Sequence, residues 1–120
     1  MKRQDVHLKQ HLAVVAIDLS KVDLVENVVA LPNNAGVVQV NLEVLETADA
    51  GISADVGFSG ATDRFMNDVD LASITQHNSS ICHKCNRVDM VLITLSAKPT
   101  KGKIKMRVGY FLPSVVETEF

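Results

Sequence analysis

Apolar and polar positions alternate through long parts of this chain. Val38, Val40, Leu42 and Val44 share one face of an extended segment while Gln39, Asn41 and Glu43 take the other, which is the period-two pattern of a half-buried strand. Ala48-Asp-Ala-Gly51 breaks that run, and Ile52, Ala54, Val56 and Phe58 resume it against Ser53, Asp55, Gly57 and Ser59. The two runs predict either an antiparallel pair or two strands of one sandwich. Near the C-terminus Val91, Ile93 and Leu95 alternate with Leu92, Thr94 and Ser96. After Lys98-Pro-Thr-Lys-Gly102, Ile104, Met106, Val108 and Tyr110 alternate with Lys103, Lys105 and Arg107. This second region predicts a hairpin with its cations on the polar face.

Between these regions the signal varies. Leu12 to Leu19 is apolar at nearly every position. Such a run suits a strand buried on both sides, or one whose outer side meets another subunit. Val22 to Leu31 is a β-branched segment stopped by Pro32-Asn-Asn-Ala-Gly36, a strong turn signal. Gly60 to Leu71 reads as a polar loop with room for one helical turn, and Ala72 to Asn86 is weakly patterned. Six to eight short strands, turn signals between them and no amphipathic helix predict an all-β fold: a jelly-roll-like β-sandwich over residues 12–120, preceded by an N-terminal arm over residues 1–11 that carries His7 and His11. Strand order is not readable from the pattern.

The segment from Val37 to Leu71 also carries a signature. Asp55-Val-Gly57 is followed by Asp63-Arg-Phe65 and by Asn67-Asp68, and this arrangement resembles small bacteriophage virion proteins of the capsid cement, or head decoration, type. The resemblance is pattern-level, strongest over residues 37–71 and looser beyond. It implies a homotrimer seated on the outside of a capsid where subunits of the major capsid protein meet. Other phage structural parts, of the tail or connector, are the alternative, ahead of a small nucleic-acid- or ligand-binding β-domain.

Composition narrows the function classes. The chain has 120 residues, 47% of them hydrophobic but only 4% aromatic, so its apolar stock suits flat sheet packing better than a pocket walled by rings. The net charge of −2 is not that of a dedicated nucleic-acid binder. Charge is unevenly placed, however. Lys21 is the only cation between Gln10 and Asp63, whereas Lys98, Lys101, Lys103, Lys105 and Arg107 cluster later. That asymmetry fits one subunit to another, or gives one monomer two oppositely charged faces. The apolar run at Leu12 lacks a small-residue cleavage site and reads as a strand, not a signal peptide. No stretch is long enough for a membrane span. The expected setting is a virion assembled in a host cytoplasm.

Candidate interface residues are therefore Leu12, Val14 and Ile17 on the apolar strand and Lys101, Lys103, Lys105 and Arg107 on the basic one. Their contacts are expected with protein and not nucleic acid, because no aromatic residues interleave the cations to stack bases. Cys82-His-Lys-Cys85 is the sharpest chemical motif. Two thiols at that spacing can hold a metal or close a disulfide, with Cys82, Cys85 and His77 as the candidate metal ligands. His83 lies inside the pair, where folding back onto the same ion would strain it, and no second Cys pair is present. The expectation is thus no metal and no other cofactor. Asp63, Asn67, Asp68 and Asp70 are oxygen-rich but lack the glycine and glutamate spacing of a calcium loop; local capping by these side chains is the reading preferred. The four histidines are dispersed, and no nucleophile elbow, phosphate loop or zinc-protease helix is present, so no enzyme is expected.

Overall fold

A computed structural model of the chain describes the backbone of residues 3–6, 9–85, 88–112 and 116–119, and the side chains of 11–85 and 88–112. Its strands are β1 (Arg3–Val6), β2 (Lys9–Asp18), β3 (Val25–Leu31), β4 (Gly36–Glu46), β5 (Ser53–Phe58), β6 (Ala61–Asp70), β7 (Gln76–Ser79), β8 (His83–Lys84), β9 (Asp89–Leu95), β10 (Lys103–Leu112) and β11 (Val116–Glu119). A single 3-10 turn at Leu19–Lys21 follows β2. It is capped by Asp18, whose carboxylate accepts from the Ser20 amide and hydroxyl.

Nine of these strands make a sandwich. One sheet has the order β2-β10-β4-β7, with the short β8 also on β4, and the other has the order β3-β9-β5-β6. Every pairing is antiparallel. Successive strands thus fall in opposite sheets for most of the chain, and each sheet interleaves early with late segments. That is jelly-roll topology. β1 and β11 form a separate two-stranded ribbon. The core lies between the sheets and is built from the inward residues of both, among them Val40, Leu42, Val44, Val56, Val91, Ile93, Ile104, Met106 and Val108.

The alternating runs are therefore strands of an all-β sandwich, as expected, but several placements differ. β4 and β5 lie in different sheets. β9 and β10 do not form a hairpin: β9 is flanked by β3 and β5, and β10 by β2 and β4, so both edges of each strand are already occupied. Alternation is the same for either arrangement. The Lys98–Gly102 segment instead carries the chain across the sandwich. In β4 the core position is Val37 and not Val38, because the register against β10 skips Val38 between Gln39 and Val37. One extra residue reverses the faces beyond it.

The Gly60–Leu71 segment is mostly a strand, not a loop with a helical turn, and the weakly patterned stretch after it supplies β7 and β8. β2 also begins earlier than expected: Lys9 pairs with Leu112, so residues 9–11 belong to the sheet and not to an arm. His7 lies outside the described residues.

Candidate functional site

The strand β6 explains the residues of the signature. Opposite β5 its register slips twice. Asp68 sits at the first slip with a left-handed backbone (φ 53°), and its amide donates to the Asp55 carboxylate at 2.8 Å. Gly57 faces the second slip, where a Cβ would stand 2.2 Å from the Ala61 carbonyl oxygen. Only glycine lets the two backbones approach this closely. Phe65 is buried and meets Phe58 edge-on at 5.2 Å, while Arg64 reaches back to the Cys82 carbonyl at 3.4 Å. Asp70 accepts from the Ala72 amide and the Ser73 hydroxyl, which is a local capping role.

Most of the expected interface residues converge on one surface, the outer face of the five-stranded sheet. Val14 of β2 lies opposite Arg107 of β10, which lies opposite Asn41 of β4, which lies opposite Asn78 of β7. Across these four strands Arg107 donates to Asn41 Oδ1 at 2.9 Å, and Asn41 donates to Asn78 Oδ1 at 2.6 Å. Arg107 also pairs with Glu43 at 3.0 Å, and Gln76 donates to Glu43 at 3.3 Å. These side chains and Leu12 border a shallow polar trough. Along its rim Leu12 is 65% exposed and Val14 49%, an apolar ridge on the strand that forms the edge of the sheet.

Two of the expected interface residues stand apart. Ile17 points to the opposite face of β2 and packs against the core. Lys101 precedes β10 in the loop at the end of the sandwich. The charge asymmetry is partly used inside the chain, since β10 lies beside β4: Arg107 meets Glu43, and Lys103 meets Glu46 at 3.8 Å.

The sandwich edges also differ. β7 has only four residues, β6 is irregular at two places, and β3 carries a bulge between Asn27 and Val29. Each device blunts an edge against further strand pairing. β2 is ten residues long and pairs with β10 without a register shift. It is the edge left regular.

Cys82, Cys85 and His77 do not come together as one group of donors among the described residues. Both cysteines are free thiols; Cys82 is exposed and Cys85 buried. His77 turns away, with Nε2 3.0 Å from the Thr75 hydroxyl. In extended chain, residues two apart share a side. Accordingly His83 and Cys85 come together, joined by Asp89 at the start of β9, with one donor atom from each lying within 4.8 Å of the others. This is the one grouping of three or more His, Cys or carboxylate donors among the described residues. Burial, and then the charge of Asp89, push the Cys85 thiol above its ordinary pKa. An apolar cleft bounded by Val37, Val38, Phe111 and the Cys82–Lys84 segment adjoins it.

No protein-family profile matches the sequence, and no curated protein matches it either. Solved structures do. The chain is similar to a chain of the acid-stable capsid structure of Helicobacter pylori bacteriophage KHP30, with 34% identity over 99% of this chain and 100% of that one and a TM-score of 0.81. It shares its fold with a chain of the cyanophage Pam1 capsid asymmetric unit (21% identity, 88% of this chain and 84% of that one, TM-score 0.64) and with one of the Ralstonia phage GP4 capsid (17%, 92% and 89%, TM-score 0.70). The chain is a structural protein of a phage virion, and it belongs to the family of the KHP30 capsid-structure chain.

Proposed function

We propose that this protein is a capsid cement protein: a homotrimer that binds the outside of the phage shell and ties neighbouring major capsid protein subunits together without chemistry. The observation that carries this reading is the outer face of the five-stranded sheet, where the exposed Leu12 and Val14 ridge borders a trough already wired by Arg107, Asn41, Asn78 and Glu43. Polar groups held in place before docking lose little freedom on binding, and an apolar ridge beside them supplies area to bury. Family membership alongside a capsid-structure chain supports a shell as the partner of that surface. Bridging several coat subunits then acts by linkage: whatever binds only the closed shell stabilises it, and each ~1.4 kcal/mol shifts an opening equilibrium tenfold. No group of catalytic character is assigned to the fold.

The test mixes the purified chain with shells assembled from coat protein alone. Expected are co-sedimentation at a fixed stoichiometry, trimer-shaped density on the shell exterior and a higher rupture temperature. L12D/V14D should abolish co-sedimentation while the free protein keeps its β spectrum. Density confined to the tail or connector would transfer the assignment there, and shells equally robust without the chain would refute cementing. A protein monomeric in solution and on the particle would refute the trimer.

A further inference from the structure

We infer that His83, Cys85 and Asp89 form a binding site for a thiophilic divalent cation of the zinc class. One donor atom from each lies within 4.8 Å of the others. Around a tetrahedral zinc ion, neighbouring sulfur, nitrogen and oxygen donors stand about 3.3–3.6 Å apart, as bond lengths of roughly 2.0–2.3 Å require. The three groups therefore need to close by up to about 1.5 Å, within reach of side-chain rotation.

The local fold brings them together independently of any ion. Cys85 is tied by its backbone to the turn before β4: its amide donates to the Ala35 carbonyl at 2.8 Å, and its carbonyl accepts from the Asn34 amide at 3.0 Å. His83 is opposite Val37 in the β8–β4 pairing, with its ring tilted on Phe58 at 4.5 Å. Asp89 opens β9 in the other sheet. The ion would therefore join the two sheets at one end of the sandwich.

Cys85 supplies the second observation. Its side chain is fully buried, yet its sulfur makes no hydrogen bond among the described residues, whereas the Cys82 thiol donates to the Ser80 carbonyl at 3.9 Å. A buried thiol facing an imidazole and a carboxylate suits a metal better than it suits packing. The mixed sulfur, nitrogen and oxygen set favours zinc over calcium or magnesium, which take oxygen alone. On binding, the Cys85 S–H proton goes to solvent, sulfur and imidazole nitrogen donate electron pairs to the ion, and water completes the shell. Three protein ligands leave that fourth position.

The test titrates the full-length, chelator-treated chain, kept reduced with a phosphine, with zinc and with cobalt(II) as its spectroscopic stand-in. Expected are one equivalent bound per chain, a thiolate-to-cobalt charge-transfer band, release of about one thiol proton per ion bound at neutral pH, and a raised melting temperature with zinc. Cys85→Ser should abolish the band, and His83→Ala should weaken binding about 100-fold or more. Cys82→Ser should leave both unchanged. If Cys85→Ser does not fold, His83→Ala and Cys82→Ser decide the matter. Absence of the band in the wild type, its loss in Cys82→Ser, or unchanged affinity in His83→Ala would overturn the assignment.

Discussion

Both ends of the sandwich are tied by backbone hydrogen bonds, but they differ in what is added to them. At the end where β2, β4, β6 and β9 finish, the loops are laced by backbone hydrogen bonds: Leu19 to Gly102, Ala48 to Leu71, Leu71 to Ile52 and Leu95 to Leu24. The Asp49 carboxylate adds a clamp on the crossing loop, accepting from the Thr100 amide at 2.6 Å and from its hydroxyl at 2.9 Å. At the opposite end the turn after β5, the Asn34–Gly36 turn and β8 meet through rings and a donor cluster. Phe58, Phe65 and His83 pack together there, beside Cys85 and Asp89. The first end adds the Asp49 side-chain clamp to its backbone bonds. The second adds a group of packed rings and, beside it, the His83, Cys85 and Asp89 donors.

The contrast can be broken by substitution, and the largest effect belongs to the second end. Gly57→Ala puts a methyl group 2.2 Å from the Ala61 carbonyl, against backbone that cannot swing away. A destabilisation of about 3 kcal/mol or more is expected, read from the denaturant midpoint. Phe65→Ala follows, at about 3 kcal/mol, because it empties the centre of the aromatic cluster. It should also loosen His83, so zinc affinity should fall together with stability.

At the first end Asp49→Asn should lower the melting temperature by less, and its signature is pH. The Thr100 amide, and then its hydroxyl, hold the Asp49 carboxyl below the ordinary 3.8. A depressed folded-state pKa contributes stability that is present above the unfolded value and lost as pH falls through the folded one. Asp49→Asn should therefore cost stability at neutral pH and progressively less in strong acid. An unchanged difference between wild type and variant down to pH 2 would show that the clamp works through shape alone. The smallest effect is expected from Lys103→Ala. Its ion pair with Glu46 spans 3.8 Å between side chains that are both more than half exposed, so the change should fall within about 0.5 kcal/mol. A larger loss would mean that β10 depends on its surface charges and not on the core beneath them.

Legibility in the sequence followed regularity of register. β4, β5, β9 and β10 show alternation because most of each strand pairs in step and buries one face. β6 hides its nature: its two slips put Phe65 and Met66 inside consecutively and Val69 three residues later, a spacing that mimics a loop. β7 has no apolar residue at all, so hydrophobic pattern could not mark it; its strand form comes from pairing with β4. Partner choice was equally hidden, as the mistaken hairpin shows. The candidate interface residues could be named one by one, but that most of them share one face depended on β10 lying between β2 and β4. The grouping of His83, Cys85 and Asp89 went unseen because spacing drew attention to Cys82 with Cys85. Period two in extended chain, which pairs His83 with Cys85, was the available signal; the contribution of Asp89 comes from the crossing between sheets.

The central place of β10 also governs when the chain can fold. Among the described residues it is the strand that pairs with both β2 and β4, and those two strands enter the ribosome's exit tunnel some sixty to ninety residues earlier. Until β10 emerges, two completed strands face each other without the segment that joins them, so the sandwich closes late and as a unit. Contacts so distant along the chain bring slow folding.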